Sequence, residues 1–154
     1  MTVSKALVLD ANILVRAVLG KRVRQLLMQY KEVVDFYSPD VCFRDARKHL
    51  PKLLERRHIE LGVGLEFLDR IGGVVESVDQ EAYIENERLA RKRVERRDPD
   101  DWPVVAVALL VGCPIWTEDR DFFGAGHGRP TSLRCTLLSL DPYRIQGCFG
   151  AFVL

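Results

Sequence analysis

Five aspartates in this chain stand where they could do chemistry together. Asp10 closes an apolar run, Lys5-Ala6-Leu7-Val8-Leu9. Asp101 ends an acidic turn, Asp98-Pro99-Asp100-Asp101, just before an apolar stretch at 104–111. Asp119 and Asp121 follow Ile115-Trp116-Thr117, another short apolar run. Asp45 lies farther off, in Pro39-Asp40-Val41-Cys42-Phe43-Arg44-Asp45-Ala46. Carboxylates gathered at one place repel one another and need a cation. Hard oxygen donors favour Mg²⁺ or Mn²⁺ over softer metals. A metal held by few protein ligands keeps water, lowers the pKa of that water and polarises a phosphate. That is the chemistry of phosphodiester hydrolysis.

Taken singly, each acid also has a local role. Asp10 suits the cap of a following helix, and Asp100 or Asp101 suits the cap of the helix that carries Trp102 and Pro103. Asp119 and Asp121 suit a turn. What joins Asp10, Asp101, Asp119 and Asp121 is the layout of the elements that must position them.

The run at 5–10 has no alternation, as in a parallel strand buried on both faces. Helical patterns follow at 12–19, closed by Gly20, and at 22–30. Residues 33–37 form a second strand, with Ser38 as N-cap and Pro39 in the first turn of the next helix. That helix runs through Leu50, and Pro51 kinks it or starts a new segment. A helix at 59–71 ends at Gly72-Gly73, and Val74-Val75 opens a short strand. Residues 80–97 form one charged helix. The stretch 104–111 is apolar all round and should be a buried helix, ended by Gly112. Strands follow at 115–117 and 137–140.

Strands alternating with helices imply right-handed crossovers and a mostly parallel sheet, an α/β fold. In such sheets ligands bind beyond the carboxyl ends of the strands. Asp10 and the pair Asp119 and Asp121 lie at those ends, and the helix start at Asp101 can face the same edge. Arg120, between two of the acids, is placed to balance their charge or to hold a phosphate oxygen.

The whole stretch 7–15, Leu-Val-Leu-Asp-Ala-Asn-Ile-Leu-Val, resembles the opening motif of PIN-domain nucleases. Residues 98–108 and 115–123 resemble their third and fourth acidic motifs, in the same order. The resemblance covers about 5–123 and leaves a tail, 124–154, unmatched. It implies a three-layer α/β/α fold in a single domain over 1–154. It carries over Asp10, Asp101 and Asp119 as metal-binding acids, with Asp121 as an accessory acid. Asn12 and Thr117 match polar residues that support them. The family usually places a Glu early in the helix after the second strand; Asp45 stands there, with a shorter side chain. The resemblance further implies an endoribonuclease using Mg²⁺ or Mn²⁺ on RNA. Small members similar to the VapC group are toxins of toxin–antitoxin modules, which dimerise and are silenced by a small antitoxin. A degenerate PIN domain that binds RNA or protein without cutting, and a DNA-directed nuclease, are the other readings.

Composition sets the outer limits. A chain of 154 residues fits one domain, and 47% hydrophobic with 29% charged residues is ordinary for a globular protein. The formal net charge of +1 gives no global field for a polyanion, so local patches must meet one. Basic stretches at 21–24, 52–57 and 91–97 suit phosphates or simply solvated helix faces. Cys42, Cys113, Cys135 and Cys148 have no paired spacing and suit reduced core thiols. The histidines, His49, His58 and His127, lack metal-ligand spacing. Trp116 is expected in the core, and Trp102 is placed to stack on a base. No segment is long and apolar enough to span a membrane, and a cytoplasmic location is expected.

Overall fold

The computed structural model describes residues 5–96 and 98–116. Four parallel strands form one sheet in the order β3-β2-β1-β4, with β1 at Lys5–Leu9, β2 at Val34–Pro39, β3 at Val75–Val78 and β4 at Ile115–Trp116. Leu7, Val8 and Leu9 are buried on both faces of the sheet, which is why β1 reads as an unbroken apolar run.

Between β1 and β2 lie α1 (Ala11–Leu19) and α2 (Lys21–Tyr30); between β2 and β3 lie α3 (Asp40–Arg56) and α4 (Leu61–Gly72). Both crossovers step the same way across the sheet, so right-handed connections place these helices on one face. They pack against one another accordingly. Between β3 and β4 come α5 (Gln80–Tyr83), a 3₁₀ turn at Ile84–Asn86, α6 (Glu87–Val94), a 3₁₀ turn at Pro99–Asp101, and α7 (Trp102–Val111). This connection steps the other way, so its helices cover the other face, with α7 against β1 and β2. The result is the expected three-layer α/β/α arrangement.

The strand order reverses direction between β1 and β4. Open parallel sheets form their ligand crevice at such a point, beyond the carboxyl ends of the strands. Asp10 follows β1 at that point.

Helix α7 is buried along Trp102–Ala108 because its apolar residues leave no polar face. Gly112 ends it at φ 73°, a left-handed conformation that favours glycine. Gly64, in α4, lets that helix press against Leu54 of α3; a Cβ there would collide with the leucine methyls.

Three local expectations are corrected. Ser38 does not cap α3: it is the fifth residue of β2, fully buried, and its Oγ donates to the carbonyl of Leu9 at 2.8 Å. A partner on the neighbouring strand outcompetes the local cap. Pro51 does not start a new segment, since it lies inside α3. The single charged helix at 80–97 is instead α5, a 3₁₀ turn and α6, because Tyr83 turns inward and is fully buried. The strand expected at 137–140 lies outside the described residues.

Candidate active site at the strand ends

Asp10 is 6% exposed, at the exit of β1 with extended backbone. Its Oδ1 accepts the backbone N–H of Ile13 at 2.9 Å, so it caps α1 as well as standing at the sheet edge. Its own N–H reaches toward the carbonyl of Trp116 at 3.5 Å, and Leu9 pairs with Trp116 in register. The described part of β4 therefore ends beside Asp10. Ser38 stitches the end of β2 to Leu9, so three strand ends meet around this carboxylate.

Cys42 lies in the first turn of α3, buried. Burial is the largest influence on its thiol and pushes it up to about 12; the negative charge of Asp10 adds to this, a hydrogen bond with Ser38 opposes it, and the charge of Asp45 adds a smaller rise. One thiol thus senses both carboxylates. Asp45 is exposed, three residues along α3 from Cys42 and on the same side of the helix. Asp10 and Asp45, distant in sequence, are brought to one neighbourhood. Because the thiol stays protonated at neutral pH, the donors there are carboxylate oxygens and not thiolate. That set fits Mg²⁺ or Mn²⁺.

Asp101 is partly buried at the junction of the 3₁₀ turn and α7. Helix α7 leads directly into β4 and so runs against the strands, which sets its first residues at the carboxyl edge. Asp101 stands at the N-cap position of α7 as expected, but its side chain makes no cap hydrogen bond; the capping carboxylate belongs to the preceding 3₁₀ turn. Asp98 accepts the N–H of Asp100 at 3.0 Å, and its carbonyl accepts the N–H of Asp101 at 3.1 Å.

Trp102 is not available to a base. It is 8% exposed, edge-on to Tyr83 with ring centroids 5.7 Å apart, and the Arg91 guanidinium covers it at 4.9 Å. Trp116 is in the core as expected, with its indole Nε1 buried and without a hydrogen-bond partner among the described residues. Cys42 and Cys113 are buried free thiols, also as expected.

Asn12 is exposed on the first turn of α1. Thr117, Asp119, Arg120 and Asp121 lie outside the described residues, as do Cys135 and Cys148. Among the described residues no group of three or more His, Cys, Asp or Glu converges. No helix among them is long and apolar enough to cross a membrane.

Sequence reasoning gave Ser38 only a capping role and gave Asp40 and Tyr83 no role at the site. Tyr83 donates its hydroxyl to Asp40 at 2.8 Å, across 43 residues of chain. Nothing local marks such a pair, because each residue looks like an ordinary helix position.

A PIN domain model matches residues 8–137 of the chain. No curated protein matches it in sequence. Among solved structures it is similar to VapBC2 from Rickettsia felis bound to a DNA fragment from their promoter, with a TM-score of 0.59, 14% identity, and 77% of this chain and 91% of that chain covered. At that identity the likeness is one of fold.

Proposed function

The chain belongs to the PIN domain family, and from that premise we propose that it is a divalent-metal-dependent endoribonuclease. The observation that carries this reading is the buried Asp10 carboxylate at the exit of β1, beside the point where the strand order reverses. Asp10, Asp101 and Asp119 are the proposed metal-binding acids, and Asp45 and Asp121 assist. Asn12 and Thr117 support the acids, and Arg120 balances charge or holds a phosphate oxygen. Bound Mg²⁺ or Mn²⁺ would supply electrostatic stabilisation of the phosphate and a more acidic water.

The chain's own residues do the rest. Ser38 and the cap to Ile13 fix Asp10 before any substrate arrives. In this reading Asp45, exposed on α3, assists through a water.

The Asp10→Asn protein is the test. Asn caps helices as well as Asp, so thermal unfolding should be unchanged. RNA cleavage in Mg²⁺ or Mn²⁺ should fall by roughly 100-fold or more, the scale seen when a charged stabilising group is lost. A folded Asp10→Asn protein that cuts at full rate would sink the reading. Asp45→Glu, which restores the family's usual residue, should cut at least as well as the parent chain.

The likeness to the solved VapBC2 complex supports a toxin of a toxin–antitoxin pair, held by a small antitoxin and acting in the cytoplasm, with a homodimer as the free form. Co-expression with the product of a small neighbouring reading frame, read as relief of growth arrest, tests this. A second reading has its own support: Asp10 already caps α1, so its position is explained without metal. That reading is a PIN module that binds without cutting. Calorimetry with Mn²⁺ separates the two, since only the enzyme needs to take up the ion. A DNA-directed nuclease is separated by digesting matched RNA and single-stranded DNA.

A further inference from the structure

Helix α3 begins at the carboxyl edge of the sheet and runs back along it, carrying one face of unpaired cations away from the candidate site. On a helix of 3.6 residues per turn, Asp45, Lys48, Lys52 and Arg56 fall within one arc of roughly 80°. All four are exposed. The buried residues Ala46, Leu50 and Leu54 lie on the other side, with Cys42 at the border between the two faces. From Asp45 to Arg56 the row extends about 16 Å at the ordinary helical rise.

The other arginines of α3 behave differently. Arg44 pairs with Asp40 at 3.5 Å and Arg47 with Asp69 at 2.8 Å, both outside the arc. Among the described residues Lys48, Lys52 and Arg56 enter no ion pair, although Glu55 sits on the adjacent row. Cations at i, i+4 and i+8 recur every ~6 Å, a spacing that an extended phosphate backbone can follow. With a whole-chain charge of only +1, three cations outside any ion pair in one row beside Asp45 are a local and directional feature.

We infer that Lys48, Lys52 and Arg56 form a phosphate track for single-stranded RNA, receiving the strand that lies over Asp45. This rests on the nucleic-acid reading above, but its test needs neither cleavage nor metal.

The experiment measures binding of a labelled single-stranded RNA of mixed sequence in EDTA, by fluorescence anisotropy across a salt series. The parent chain is compared with Lys48→Gln/Lys52→Gln/Arg56→Gln, and with a charge-matched control on α6, Arg88→Gln/Lys92→Gln/Arg93→Gln. Circular dichroism confirms that each is folded. Three phosphate contacts on a single strand contribute about 2 to the slope of log K against log salt. The α3 variant should lose that much slope and roughly ten-fold or more in low-salt affinity, while the α6 control keeps the parent slope. An unchanged slope in the α3 variant, or an equal loss in both variants, overturns the inference. So does a parent chain that ignores RNA, or one whose α3 row governs binding to anionic lipid vesicles and leaves RNA binding untouched. Loss of cleavage in Asp10→Asn with the slope intact would leave both readings standing. An intact nuclease with an unchanged slope removes this one alone.

Discussion

Tyr83 Oη donates to Asp40 Oδ1 at 2.8 Å, joining α5 on one face of the sheet to the first turn of α3 on the other. The tyrosine is fully buried and its ring meets Trp102, the residue after Asp101. One side chain therefore ties the start of α3 to the start of α7. Burial, followed by the hydrogen bond and the charge of Asp40, holds its hydroxyl well above the usual phenol range, so it remains a donor. Tyr83→Phe removes the hydroxyl and keeps the ring. A hydrogen bond to a charged, partly exposed group is worth about 1–2 kcal/mol, and in a chain of this size that lowers Tm by roughly 3–6 °C. Differential scanning calorimetry reads it; an unchanged Tm would show the bond to be dispensable.

Asp10 is expected to separate stability from activity. Asp10→Ala removes the cap to Ile13 and should cost about 1 kcal/mol, whereas Asp10→Asn keeps a good cap and should cost only a few tenths. Both should lower cleavage alike, by roughly 100-fold or more. Urea unfolding beside an RNA cleavage assay checks the contrast. Equal stability loss in the two variants would mean that the charge, and not the cap, holds the start of α1.

Gly64→Ala should destabilise the α3–α4 packing. The added methyl would collide with Leu54, which is itself buried, and overpacking of this kind costs about 1–3 kcal/mol. Trimming the obstacle in Gly64→Ala/Leu54→Val should recover part of that loss. If the double variant is less stable than the sum of the two single changes, the collision is not the cause. Chemical denaturation of the four proteins closes the cycle.

The buried thiol predicts how stability changes in alkali. An unfolded Cys42 gives up its proton near 9.0, while the folded one keeps it to about 12. In that window the folded state binds more protons, so stability falls as pH rises. The contribution is fully present below 9.0 and lost on the way to 12. Cys113 acts in the same direction and over the same range, mainly through burial. Cys42→Ala should show a shallower alkaline decline than the parent chain, whatever its stability at neutral pH. Denaturant midpoints measured along that pH range, in EDTA, decide it; parallel declines would count against a protonated, buried thiol.

The sequence by itself determined the layered α/β plan and the place of Asp10. Those follow from short-range facts: an unbroken apolar run marks a strand buried on both faces, and a carboxylate straight after it must stand at that strand's end. The run at 104–111 announced a buried helix for the same reason, and Gly112 its end. Only the tertiary structure decided the partners. Ser38 looks like a helix cap until Leu9 offers its carbonyl from the next strand, and Tyr83 looks like one apolar point on a long helix until burial breaks that helix in two. Trp102 looks open to a base until Tyr83 and Arg91 close over it. Such choices depend on which long-range partner wins over a local one, and that competition is settled by packing, which no window of sequence contains.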